Sequence, residues 1–167
     1  MFMTSKFIAV SGLSALALAG VTLAAPVLAQ NRQILAHDPS KCAAGAGPAV
    51  RVTLTGVKES RGTIRVQSYR ATKEDWLEKG HWIYRIEAPA KAGNMTFCMP
   101  LPAAGSYGIA VRHDLNGNGK TDLFSDGGAM SNNPSVNIFN MGKPSYKKVA
   151  VAVGNGVQSI SMQMRYF

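Results

Sequence analysis

Apolar and polar residues alternate along the chain from Pro48 to its end, in short runs separated by Gly, Pro, Asn and Asp. In the first run Val50, Val52 and Leu54 alternate with Arg51, Thr53 and Thr55, the period-two signature of a strand with one face buried. Gly62 opens a second run with Ile64 and Val66 inward and Arg65 and Gln67 outward, so the two runs predict a hairpin. Further strands are predicted over 82–87 and 95–99, and where Tyr107, Ile109, Val111 and His113 share one face opposite Gly108, Ala110 and Arg112. Val149, Val151 and Val153 make another, and Gly154-Asn155-Gly156 predicts the turn into a last strand carrying Ile160, Met162, Met164 and Tyr166 on one side. One helix is predicted over 72–80. Thr72 and Asp75 have the spacing of a capping box, Lys79 precedes Gly80, and Trp76 and Leu77 pin about two turns to the core. The sum is an all-β sandwich of about seven strands with one short connecting helix. The long connection from Asp114 to Tyr146 suits a Greek key better than a meander.

The residues before Pro48 behave differently. Lys6 is followed by an uncharged stretch over 7–25, then Pro26-Val27-Leu28-Ala29 with small residues where a signal peptidase cuts before Gln30. The expectation is a cleavable secretory leader over 1–29, an irregular polar arm over 30–47 and the sandwich over 48–167. The competing reading of the apolar stretch is a permanent membrane anchor; Pro26, the Ala and Gly content and the cleavage-like site oppose it. A periplasmic or secreted product follows.

Export changes how the two cysteines are read. Cys42 lies in the arm, and Cys98 sits opposite the apolar triad Met95, Phe97 and Met99, where the arm can reach it. One Cys42–Cys98 disulfide is the simplest expectation in an oxidising compartment, with two unrelated thiols as the alternative. Beyond residue 29, 17 Lys and Arg stand against 9 Asp and Glu, a net charge of +8. The cations are dispersed, with Arg51, Arg65, Arg85, Arg112 and Arg165 at strand positions. Such a field draws an exported protein toward anionic polysaccharide or lipid headgroups. Nucleic acid is a poor partner, since no binding motif is present.

Candidate chemistry concentrates in His113-Asp114-Leu115-Asn116-Gly117-Asn118-Gly119-Lys120-Thr121-Asp122. Oxygen-bearing side chains recur at Asp114, Asn116, Asn118 and Asp122, matching the first nine positions of a calcium-loop signature. Ser125 stands where a bidentate Glu is expected, with Asp126 one place later as the substitute ligand. Few carboxylates and the internal Lys120 predict weak calcium binding at best, in the range of about 10⁻⁴–10⁻³ M. The competing reading is a purely structural turn closed by Asn and Asp side chains. Catalytic signals are sparse. His37, His81 and His113 form no metal motif, no serine lies in a nucleophile elbow, and Asp114 with Asp122 makes a poor carboxylate pair for glycoside hydrolysis. His113 beside Asp114 is the one constellation for a small hydrolase, yet strand geometry sends the two side chains to opposite faces.

The same residues carry a resemblance. His113-Asp114-x-Asn116-x-Asn118-Gly119-Lys120-x-Asp122 followed by Ser131-Asn132-Asn133, with the Pro102–Tyr107 approach and the closing alternating strand, resembles the exported bacterial family called domain of unknown function 2141. The resemblance covers roughly Val50 to Tyr166 and implies a transthyretin-like (prealbumin-like) β-sandwich, with no activity attached. This chain departs from the family at Gly127-Gly128-Ala129-Met130, where an acidic residue and aromatics are usual.

The functional expectation is a non-catalytic envelope module, binding or structural, whose partner is another envelope component. The loop is calcium-braced in one version and cofactor-free in the other. A carbohydrate-binding module with Trp76, Trp82, Tyr84 or Tyr107 as a stacking platform is the alternative within the same class, and a hydrolase using His113 and the Asp114 loop is the alternative outside it.

Overall fold

The computed structural model describes residues 32–122, 124–135 and 142–166. The expected leader over 1–29 and its expected cleavage point lie outside the described residues. The described residues form ten strands in two sheets. The larger sheet runs β1 (Gln33–Leu35), β4 (Tyr84–Pro89), β3 (Thr63–Arg70), β6 (Gly105–Asp114), β7 (Gly127–Met130) and β10 (Arg165–Tyr166), and β8 (Val151–Val153) pairs with the start of β6. The smaller sheet runs β5 (Gly93–Pro100), β2 (Ala49–Val57) and β9 (Val157–Gln163). Their facing surfaces enclose the core. Val50, Val52 and Leu54 of β2 and Phe97 and Met99 of β5 meet Ile64 and Val66 of β3 and Ile109 and Val111 of β6, each at most 4 % exposed. Alternating apolar positions thus place all four runs on the inside, as their pattern predicts.

Several expectations need correction. The runs ending at Val57 and starting at Thr63 do not form a hairpin: β2 pairs with β5 and β9, and β3 pairs with β4 and β6. Alternation shows which side of a strand is buried but not which sheet it joins, and a few linking residues bridge two sheets about 10 Å apart. Gly62 makes that crossing possible. Its φ is +74°, and a Cβ there would stand 2.0 Å from the carbonyl oxygen of Asp114. The turn at Gly154-Asn155-Gly156 is likewise a crossing, because β8 joins the larger sheet and β9 lies parallel to β2 in the smaller one. The last run divides as well. Met164 carries the chain from β9 back to the larger sheet, where β10 pairs antiparallel with β7.

The predicted helix over 72–80 is a series of turns. Its capping box forms, with the Asp75 amide donating to Thr72 Oγ1 at 3.2 Å, and one helical turn closes from the Trp76 amide to the Thr72 carbonyl. Leu77 then takes a φ of +56°, which ends the helix after that turn. The short α-helix is instead α1 (Tyr146–Val149), capped by Ser145. The 30–47 arm is not wholly irregular: β1 runs parallel to β4, and Pro39–Cys42 is a 3₁₀ turn capped by Asp38. Strand β7 lies inside what the sequence presents as a loop; Gly127 and Gly128 hide its alternation.

Cys42 and Cys98 form a disulfide with Cα atoms 5.7 Å apart, tying the 3₁₀ turn to β5. Arg51 Nη2 donates to the Cys42 carbonyl at 2.7 Å on the same outer face. The bridge closes a loop of sequence separation 56. Replacing both cysteines by serine is expected to lower unfolding free energy by about 4 kcal/mol in the chain-entropy picture, read from the shift in urea midpoint.

Candidate functional site

Strand β6 carries the first two residues of the signature, His113 and Asp114, and leads into its loop. Its inward residues Tyr107, Ile109, Val111 and His113 are buried, and its outward residues include Ala110, Arg112 and Asp114. His113 is fully enclosed: Nε2 lies 2.7 Å from the Arg61 carbonyl and Nδ1 2.7 Å from the Tyr166 hydroxyl. A carbonyl only accepts, so Nε2 carries a proton, and in the neutral ring the Tyr166 hydroxyl donates to Nδ1 while accepting from the Lys58 amide. Every polar atom of this inner network is used. The network ties β6 to β10 and to the β2–β3 crossing, and it leaves His113 no free nitrogen for a substrate. Asp114, the next residue, lies on the opposite face of β6.

The loop after β6 is wired by its own side chains. Asp114 Oδ2 accepts from the Gly119 amide at 2.8 Å and from Arg112 Nη2 at 3.3 Å. Asn116 Oδ1 accepts from the Asn118 amide and Asn118 Oδ1 from the Lys120 amide, two successive Asx turns. Both Asn side-chain amides donate to Asp122 Oδ2, and together they hold the Asp122 carboxyl below its ordinary value of 3.8. Asp126 closes the loop by accepting from the Leu115 and Asp122 amides. The five residues read as calcium ligands are therefore gathered in one place. Arg112 already puts a positive charge there, donating to Thr121 Oγ1, Asp114 Oδ2 and the Gly119 carbonyl. Asp114 Oδ1 is buried without a hydrogen-bond partner among the described residues.

The Ser-Asn-Asn segment is a second piece of wiring. Buried Ser131 Oγ accepts from the Ile109 amide and donates to the Val149 carbonyl, joining β6 to α1. Asn132 donates to the Lys148 and Ala150 carbonyls. Asn133 donates to the Ser161 carbonyl and accepts from the Gln163 amide, pairing with β9 as a strand backbone would. Both asparagines have positive φ, +62° and +47°, which Asn tolerates better than most side chains.

What the wiring leaves open is the outer face of the larger sheet. Register aligns Glu87, Arg65, Arg112, Gly128 and Arg165 in one row across five strands. Arg65 pairs with Glu87 at 2.7 Å, and Arg85 lies 3.7 Å from the same carboxylate. Burial first, and then the Arg65 cation, pull the Arg85 and Arg112 guanidinium groups below the usual arginine range, although both stay charged. Arg85 Nε and Arg112 Nε are buried without hydrogen-bond partners among the described residues. A groove of about 380 Å³ follows this face from Arg112 and Arg165 to Tyr69 and Leu77. The sequence shows these arginines only as dispersed cations at strand positions; their convergence depends on register between strands far apart in the chain.

The aromatic platform is mostly corrected. Trp76 is 1 % exposed, donating to the Pro144 carbonyl and meeting Tyr69 edge-on. Tyr107 is 2 % exposed, its hydroxyl donating to the Ala103 carbonyl. Neither ring can stack on a sugar, because each fills the interior. Tyr84 is half-buried against the main core, and half-buried Trp82 lies 4.3 Å beneath the Arg85 guanidinium.

Two outcomes are expected from this wiring. Tyr166→Phe leaves His113 Nδ1 buried and unsatisfied and costs about 1–3 kcal/mol of unfolding free energy by urea titration. The Asp122 contribution to loop order is complete above pH 3.8, its ordinary value, and is lost as pH falls through the lowered folded one. Protection factors of the loop amides, exchange rates taken relative to the intrinsic rate at each pH, are expected to fall in acid, and Asp122→Asn to remove that transition.

A family model described as an uncharacterized protein conserved in bacteria matches residues 52–161. No curated protein and no solved structure matches the chain. The matched span runs from β2 into β9 and contains the inner histidine, the wired loop and the Ser-Asn-Asn segment. The chain belongs to the uncharacterized bacterial family called domain of unknown function 2141.

Proposed function

We propose that the protein is an exported, non-catalytic binding module of the bacterial envelope, meeting an acidic envelope component with the outer face of its larger sheet. The observation that carries the reading is the row Arg65–Arg112–Gly128–Arg165, with its unpartnered guanidinium nitrogen at Arg112. Arginines on a rigid sheet, with Arg65 and Arg112 half-buried and Arg165 exposed, suit forked hydrogen bonds to carboxylate or phosphate better than a loose film of lysines does. The Cys42–Cys98 bridge fits an oxidising compartment, as the leader-like residues 1–29 do. The enclosed His113 and the self-satisfied loop favour a scaffold over a catalyst.

Retention on immobilised polygalacturonate, and cosedimentation with phosphatidylglycerol vesicles, test the reading. At low salt one of the two is expected to hold the protein, with Arg65→Gln/Arg165→Gln weakening it and salt eluting it. Indifference to both polyanions, or binding that the double variant leaves unchanged, overturns it.

Calcium bracing of the 114–126 loop is a second reading, favoured by one observation: the unpartnered, buried Asp114 Oδ1 among gathered oxygen groups. Calcium has to compete with Arg112 and turn the Asn116 and Asn118 amides. With a Kd near ~1 mM, ~10 mM calcium adds roughly 1.4 kcal/mol, a few degrees in Tm, and Asp114→Ala removes the increment. An identical Tm in chelator and in calcium ends this reading.

A further inference from the structure

We propose that the groove on the larger sheet binds a monomeric carboxylic acid with an apolar body, its carboxylate seated over Gly128 between Arg112 and Arg165. This rests on the acidic-partner reading and names the ligand class for the same site.

Gly128 is the first observation. Glycine inside a strand weakens it and commonly marks a bulge or a close approach by a ligand or another backbone. Its neighbour Gly127 is explained by packing, because a Cβ there would stand 2.4 Å from the Tyr166 ring. Gly128 has no such reason. A Cβ on it would meet nothing closer than the Val111 carbonyl oxygen at 3.9 Å, its backbone is not in the positive-φ region, and β7 runs through it in unbroken register. It leaves a bare floor in the groove, directly between two arginines of neighbouring strands.

The flanking charges are the second observation. Arg112 is held from the loop side by Asp114, Gly119 and Thr121, which fixes its guanidinium while Nε stays buried and unpartnered. Arg165 has no ion-pair partner among the described residues, and it lines the same groove. The carboxylates on this wall, Asp122 and Asp126, are occupied as hydrogen-bond acceptors within the loop. An acid head over Gly128 thus meets one pre-oriented arginine and one without an ion-pair partner among the described residues.

The far end of the groove selects the rest of the ligand. Ala110, Met130, Leu77 and Tyr69 line it with apolar surface, and the volume of about 380 Å³ is in the range of small-molecule sites. A purely polar sugar acid leaves that wall unused; a short acyl or ring-bearing acid covers it.

Calorimetric titration of the purified protein with octanoate, octanol and octylamine tests the inference, since the three share one tail and differ in head. Octanoate is expected to bind at least about tenfold tighter than octanol, with octylamine silent, and Arg165→Gln to cost about tenfold. Gly128→Val is expected to abolish octanoate binding while leaving Tm unchanged or higher, because valine suits an open strand position. Binding that Gly128→Val leaves intact, or three ligands that bind alike, overturns the inference. Failure of octanoate alongside retained polygalacturonate or vesicle binding overturns it while the acidic-partner reading stands. Failure of every anion overturns both.

Discussion

Strand β6 imposes the constraint on which both faces of the larger sheet depend. It lies between β3 and β7, with one side in the core between the sheets and the other carrying Gly108 beneath the Trp76 ring and Arg112 along the groove. Period-two geometry therefore assigns Tyr107, Ile109, Val111 and His113 to the core and Ala110, Arg112 and Asp114 to the outside. A shift by one residue would turn the Arg112 guanidinium into the apolar core and move the whole apolar set out of it, so the register is strongly specified. From that register follow the inner histidine network, the outward start of the wired loop, and the place of Arg112 beside Arg65 and Gly128.

The family signature is then intelligible as wiring. His113 joins β6 to β10 and to the β2–β3 crossing. Asp114, Asn116, Asn118, Asp122 and Asp126 satisfy the amides of a sharply turning loop, and Ser131, Asn132 and Asn133 satisfy backbone groups of β6, α1, the turn into β8, and β9. Each of these polar groups answers a backbone or side-chain partner that burial or a turn would otherwise leave unpaired, which is costly inside a protein. Polar side chains spent in this way build a rigid platform. The buried side-chain atoms without hydrogen-bond partners among the described residues, on Arg85, Arg112 and Asp114, lie on or beside the outer face of the larger sheet.

That face is electrostatically tense. Arg65 and Arg112 stand directly across from one another, where like charges repel, with Glu87 and Asp114 as partial counterions. Partial burial lowers the effective dielectric and raises the cost of keeping the cations together. An acidic group at the proposed site would relieve this repulsion.

Much of this was legible along the chain. Alternation in Val50–Leu54, Ile64–Val66, Tyr107–His113 and Ile160–Tyr166 determined an all-β protein and which side of each run is buried, because side-chain direction in a strand is a local property. Cys98, opposite Phe97 and Met99, marked the side on which Cys42 meets it. Sheet membership was not legible: both expected hairpins are crossings, since a short turn can join strands within one sheet or between two. The helix at Thr72 was lost to a single left-handed residue, Leu77, and β7 was hidden because Gly127 and Gly128 carry no side chain to alternate. Trp76 and Tyr107 looked like platform residues because exposure is decided by what packs over a strand. The arginine row was decided by tertiary structure alone. Arg65, Arg112 and Arg165 belong to strands far apart in sequence, and only the pairing of β3, β6, β7 and β10 brings them into one line.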